Sequence, residues 1–206
     1  RRVLADVDLF VSPSEFLRQR FIDADMVDAD RIIASDNGYD LARLPAAPTR
    51  PARASDQLRV GYVGTIAEHK GIHLIVDAMN GIDDDRVACC IWGDVTAFWE
   101  YTERLRHSIT NPKTLLMGPF ENHRITDILR DLDLLIVPSL WFENSPLTVH
   151  EAAACGVPVL ASDQGGLAEY GLPEVTGRHF ALGDVDDLRA KILSFIENPM
   201  TAFNPG

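Results

Sequence analysis

The residues best suited to chemistry sit in Pro138–Ser162, where Glu143, Ser145-Pro146, Leu147, Thr148 and Glu151 surround the start of an amphipathic stretch closed by Gly156. Serine followed by proline opens a helix well: serine can cap free amides, and proline fills the first helical position, where no donor is needed. The spacing therefore predicts a helix over 146–155 capped by Ser145. The amides of Leu147 and Thr148 would then face outward at the positive end of the helix dipole, an arrangement that suits a phosphate. Glu143 and Glu151 would repel phosphate, and their useful partners are ligand hydroxyls. A sugar nucleotide supplies both kinds of group, with one carboxylate on the transferred sugar, the other on the ribose diol, and the diphosphate between. A competing reading is that acidic residues near a helix N-terminus only complement its dipole. Spacing alone does not decide between the two. His150 has the same two faces, an acid–base group or a packed surface histidine.

A second segment, Gly64-Thr65-Ile66-Ala67-Glu68-His69-Lys70-Gly71, follows an apolar β-rich run and precedes a helix pattern carried by Leu74, Ile75, Ala78 and Met79. Its terminal glycines allow close backbone approach, and Lys70 stands where it could counter a diphosphate or simply be a solvated charge. The loop is neither the dinucleotide fingerprint nor a Walker A sequence.

Both segments need a scaffold that presents strand ends and helix starts on one side. From residue 58 onward, β-rich apolar runs alternate with amphipathic stretches, which predicts a parallel sheet with helical crossovers. Strands are expected at Leu58–Val63, Val87–Trp92, Thr114–Gly118, Leu134–Val137, Val157–Ala161 and Arg178–Ala181, and helices near Ile72–Asn80, Phe98–Ile109, His123–Asp131, Pro146–Cys155, Leu167–Tyr170 and Val185–Glu197. The fold class is α/β, a doubly wound parallel sheet with its ligand crevice outside the carboxyl ends of the strands. Before it, a strand (Leu9–Val11), a helix (Glu15–Ile22), a strand (Arg31–Ala34) and the turn Asp36-Asn37-Gly38 do not join the repeat, and the Pro-rich stretch 46–52 reads as a linker. A boundary is placed near residue 50, separating 1–50 from 51–206.

Composition narrows the function classes. The 206 residues carry a net charge of −12 without a basic block, which speaks against nucleic acid as a partner. No apolar run approaches a membrane span, and the opening residues lack a signal-peptide core. Cys89, Cys90 and Cys155 are laid out neither as a disulfide framework nor as a metal site, as expected of reduced thiols in a cytoplasmic protein.

Taken together, the two loops resemble glycosyltransferase family four, the retaining enzymes of the GT-B class. The family's Glu-x7-Glu signature matches Glu143 and Glu151, its Lys-Gly loop matches Lys70-Gly71, and further likeness runs through Gly156-Val-Pro-Val159, Ser162-Asp163-Gln164-Gly165-Gly166 and Glu169, over about residues 57–199. The resemblance implies a Rossmann-like C-terminal donor domain and metal-independent transfer, with retention, from a nucleoside-diphosphate sugar to a glycan or lipid-linked acceptor. No cofactor or metal is implied. Lys70 and Glu143 become the catalytic pair, on the leaving diphosphate and the donor sugar. Gly64, Thr65, Gly118, Ser145, Leu147, Thr148 and Glu151 become donor-binding, with Glu151 on the ribose, the Leu147 and Thr148 amides on phosphate, and the backbone at Gly118-Pro119 lining the base pocket. Many members carry Arg where this chain has Thr65, which removes a bidentate phosphate donor.

By the same resemblance, residues 1–45, with Asn37-Gly38-Tyr39-Asp40, match only the strand–helix–strand tail of an acceptor-binding N-terminal domain. The chain is thus expected to be a fragment that binds its donor without efficient turnover, and any peripheral membrane association is expected to pass through the missing domain. The alternatives are an epimerase or phosphorylase of the same architecture and a non-catalytic nucleotide-sugar-binding module.

Overall fold

A computed structural model describes residues 4–38, 57–170 and 177–197. The 46–52 linker, the boundary near residue 50 and Tyr39-Asp40 lie outside the described residues. The N-terminal unit is strand β1 (Phe10–Ser12), helix α1 (Glu15–Asp23) and strand β2 (Ile32–Ala34), with β1 and β2 paired in parallel. Helix α1 starts at Ser14, whose hydroxyl accepts from the Leu17 amide at 3.2 Å.

The main unit runs β3 (Leu58–Val63), α2 (Ile72–Asn80), β4 (Val87–Trp92), α3 (Trp99–Ser108), β5 (Thr114–Gly118), α4 (Ile125–Arg130), β6 (Leu134–Val137), α5 (Leu147–Ala154), β7 (Val159–Ser162), β8 (Gly177–Phe180) and α6 (Val185–Glu197). Its six strands lie in the order β5-β4-β3-β6-β7-β8, and every neighbouring pair is parallel. The expected α/β doubly wound sheet is therefore present. Counted within the sheet, the order is 3-2-1-4-5-6, so the winding reverses between β3 and β6.

Helices cover both faces, which is why the central strands read as unbroken apolar runs. In β6, Leu134 and Ile136 pack with Ile75 and Met79 of α2, Leu105 of α3 and Phe195 of α6. Leu135 and Val137 pack on the other face with Leu129 of α4 and with Val149 and Ala152 of α5. The period-2 alternation thus serves two cores rather than a core and a solvent face.

Of the boundaries that differ from expectation, three bear on the site. Strand β7 begins at Val159 rather than Val157, because the Val157 amide reaches back to Ala152 O (2.8 Å) and closes α5 through Gly156, whose φ is 68°. The helix expected at Leu167–Tyr170 is a 3-10 segment, Gly165–Glu169, opened by Gly165 in the left-handed region (φ 57°). Helix α5 starts at Leu147 and not at Pro146.

Candidate functional site

The site is built where the sheet's winding reverses. The loop after β3 carries Lys70, the loop after β6 carries Glu143, and the two are locked together by backbone. The Leu140 amide donates to His69 O at 2.9 Å. Gly71 holds φ 71°, and a Cβ placed on it would stand 2.0 Å from Pro138 O. Only glycine allows that approach and that conformation together.

Lys70 Nζ donates to Glu143 Oε1 at 2.6 Å, and Ser139 Oγ donates to the same oxygen at 2.7 Å. Glu143 is 9% exposed and Ser139 is 1% exposed, so this is a sequestered carboxylate with two fixed donors. Burial works to raise the Glu143 pKa, but the hydrogen bonds from Lys70 and Ser139 and the Lys70 charge prevail and hold it below the ordinary glutamate range. The Lys70 ammonium also lies 5.3 Å from the centre of the Trp141 ring, which in turn contacts His69 at 4.8 Å between centroids. A third loop braces the second: Gln164 Nε2 donates to Ser139 O (2.8 Å) and Trp141 O (3.0 Å), and the Gly166 amide donates to Glu143 O at 2.8 Å.

The ends of β3, β4 and β5 meet through glycines. The Gly64 amide donates to Trp92 O at 3.1 Å and the Gly93 amide to Gly118 O at 2.9 Å. Gly118 turns with φ 85° beside open space. Thr65 is exposed, while its carbonyl accepts from the buried Tyr62 hydroxyl at 2.7 Å.

The expected cap at Ser145 is not formed. Pro146 is the residue before α5, extended at φ −71° and ψ 120°, and no side chain caps the helix. The Ser145 hydroxyl instead donates to Asp36 Oδ1 at 2.7 Å and stands 3.0 Å from His150 Nε2. Donation to that charged acceptor holds the serine side chain in a position from which its oxygen accepts no helix amide. Leu147 and Thr148 occupy the first turn, which closes with the Val149 amide on Pro146 O at 3.0 Å. Glu151, half-buried, follows Leu147 by four residues and Thr148 by three, on the same stripe of α5.

Asp36 is a participant that the sequence showed only as part of a turn. Its Oδ1 also accepts from Tyr170 OH at 2.8 Å and from the Asn37 amide at 2.8 Å, with His150 Nε2 at 3.4 Å. Burial would raise the Asp36 pKa; the bonds from Ser145, Tyr170 and Asn37, with His150 beside them, lower it overall. Tyr170 is pushed up to about 12, by burial first and by that carboxylate. Asp36 and Ser145 lie 109 positions apart, beyond the reach of any local pattern. Ser139, four residues from Glu143, and Gln164, which the resemblance names without a role, sit in loops, where no period marks a partner. Among the described residues no group of three histidines, cysteines or carboxylates is placed to hold a metal ion, and no helix is long and apolar enough to cross a membrane.

Comparison with known proteins gives this geometry a context. The family described as glycosyl transferases group 1 matches residues 46–204. Over 81% of its length the chain is 30% identical to a glycogen synthase of Mycobacterium tuberculosis, covering 40% of that protein. It is 37% identical, over 65% of its length, to the lipopolysaccharide core biosynthesis mannosyltransferase LpsB of Rhizobium meliloti, covering 39% of it. The crystal structure of Anabaena HepE in complex with UDP and glucose superposes on 95% of the chain with a TM-score of 0.82 at 24% identity, and the chain covers 55% of that protein. The chain thus spans less than half the length of these curated relatives.

Proposed function

Because the chain belongs to the glycosyl transferases group 1 family, we propose that it is the donor-binding part of a retaining GT-B enzyme of glycosyltransferase family four. In this reading it takes a nucleoside-diphosphate sugar and passes the sugar to a glycan or lipid-linked acceptor. The observation that carries the proposal is the Lys70–Glu143 pair, a cation and a sequestered carboxylate 2.6 Å apart at the reversal of the sheet. Structures with this fold have been seen with UDP and glucose, and relatives are named for transfer of glycan sugars.

The proposed roles follow from charge. An incoming diphosphate draws the Lys70 ammonium toward it, and the first-turn amides of Leu147 and Thr148 add donors to its oxygens. Glu143, still held by Ser139, then accepts from hydroxyls of the donor sugar, and Glu151 from the ribose. Gly64, Thr65, Ser145 and the Gly118 backbone line the remainder of the donor site, with the base over Gly118. The exposed Thr65 hydroxyl is one neutral donor where a guanidinium would give two charged ones.

In the transfer itself, the bond from the anomeric carbon to the phosphate oxygen breaks. The acceptor oxygen bonds to that carbon from the same face, and its proton passes to the departing phosphate. Lys70 and the helix start offset the charge that develops on the leaving group, so most of the catalysis is electrostatic. No metal enters this scheme, and the compartment it implies is the cytoplasm.

Residues 51–206 form the donor domain in this reading, and 1–50 are the tail of the acceptor domain plus a linker. Titration calorimetry of the chain with UDP and with GDP tests it. Binding of at least one with micromolar to millimolar affinity is expected, and binding of neither would overturn the assignment.

A further inference from the structure

Outside the pair at the sheet reversal, the most unusual surface lies at the start of α3. Phe98 is 47% exposed and Trp99 63% exposed, and neither belongs to either core. They stand on a firm base, because Phe98 O accepts from both the amide (3.0 Å) and the hydroxyl (3.2 Å) of Thr102, itself 1% exposed. The preceding turn is also set, with the Thr96 amide and hydroxyl donating to Asp94 at 2.7 and 2.6 Å. Between these rings and the loop after β3 opens a hollow of about 490 Å³, lined among others by Glu68, His69, Tyr101 and Arg104. Glu68 and Arg104, both in its lining, are ion-paired with each other at 3.2 Å.

The hollow and the Lys70–Glu143 site share one residue, His69. His69 lines the hollow and also contacts the Trp141 ring, over which Lys70 lies. His69 thus links the lining of the hollow to the ring beside the Lys70–Glu143 pair. Flat aromatic faces with an ionic rim suit a molecule that has apolar C–H groups on its face and hydroxyls around its edge. The volume falls within the range of small-molecule sites. Carboxylates at Glu68 and Glu100, with the net charge of −12, disfavour a phosphate-rich or anionic-membrane partner.

We infer that this hollow is a second saccharide-binding surface, which holds a neutral sugar residue of the acceptor glycan against Phe98 and Trp99. The inference rests on the glycan-acceptor reading given above. It places an acceptor subsite on the donor domain, beside the loop that carries Lys70.

The test is intrinsic tryptophan fluorescence of the chain titrated with maltohexaose, cellohexaose and chitohexaose, with UDP and GDP titrated separately. At least one oligosaccharide should give a saturable change. Trp99→Ala and Phe98→Ala should each weaken that binding about tenfold or more, as expected for loss of a central aromatic contact. Nucleotide affinity and melting temperature in both variants should stay at the parent values. No saturable response to any of the three sugars would overturn the inference, as would undiminished sugar binding in both variants. A loss in Trp99→Ala of binding to phosphatidylcholine vesicles, without sugar binding in the parent, would assign the surface to a bilayer and overturn it too. If UDP or GDP binds while no sugar does, this surface fails and the donor reading stands. If sugar binds through Trp99 while neither nucleotide does, the donor reading fails alone.

Discussion

Lys70 holds Glu143 at 2.6 Å with both side chains largely sheltered, so a change at either residue leaves the other charge poorly matched. Replacing Lys70 by Ala removes the cation proposed for the diphosphate, and calorimetry should show nucleoside diphosphate binding weaker by about 1–3 kcal/mol with a shallower salt dependence. Unchanged affinity would return Lys70 to a purely structural pairing. The pH behaviour has a definite sign. The folded Glu143 pKa lies below the 4.5 of an unpaired glutamate, so the stability contributed by its pairing is complete above that value and lost as pH falls through the lowered one. The difference in melting temperature between the parent and Glu143→Gln should therefore be flat from neutral pH down to about 4.5 and shrink only below it. A difference that already shrinks between pH 7 and 5 would contradict the pairing. These two residues were legible in the sequence because their types and their strand-end positions already implied a charged site. Asp36 was not, because its partners come from tertiary contact, and Ser139 was not, because a loop has no period to mark even a partner four residues away.

At the scale of elements, the close approach of the two loops depends on Gly71. Alanine there meets Pro138 O and must also hold φ 71°, whereas alanine at Gly118, with φ 85°, meets open space. Left-handed backbone costs about 1–2 kcal/mol for a non-glycine residue, and Gly71→Ala adds the clash. Denaturant melts should show Gly71→Ala clearly less stable than Gly118→Ala, and equal losses would mean that the loops part at little cost. The elements themselves were readable in advance wherever a long apolar run met a clear breaker, as in β3, β4 and α2. Errors fell at ends decided by distant partners. Ser145 has the residue type and position of a helix cap, yet a carboxylate from the N-terminal unit claims its hydroxyl. Val157 belongs to a β-rich run, yet its amide finishes the preceding helix.

Across the whole molecule, Lys70 hangs from β3 and Glu143 from β6, the strands at which the two halves of the sheet meet. A ligand that engages both loops ties those halves together, and binding to the folded state alone adds about 2.7 kcal/mol at a concentration one hundred times the dissociation constant. For a chain of this size, that corresponds to a rise in melting temperature of about 5–10 °C. Thermal scans with saturating UDP or GDP should show such a rise for at least one of them, and Lys70→Ala should lose about a third of it or more at the same concentration. A rise of equal size in Lys70→Ala would place the ligand elsewhere.

Among the described residues, the N-terminal unit meets the loops of the main unit through two groups of contacts. In one, Asp36 Oδ1 gathers Ser145 and Tyr170; in the other, the Glu169 carboxylate receives the first amides of α1, from Glu15 at 3.0 Å and from Phe16, beside the contact of the Phe16 and Phe142 rings. A body pinned at two points keeps a single free rotation, about the line that joins them. Any motion that preserves both contacts is therefore a turn about that line, and a slide of one unit along the other requires that at least one of them break.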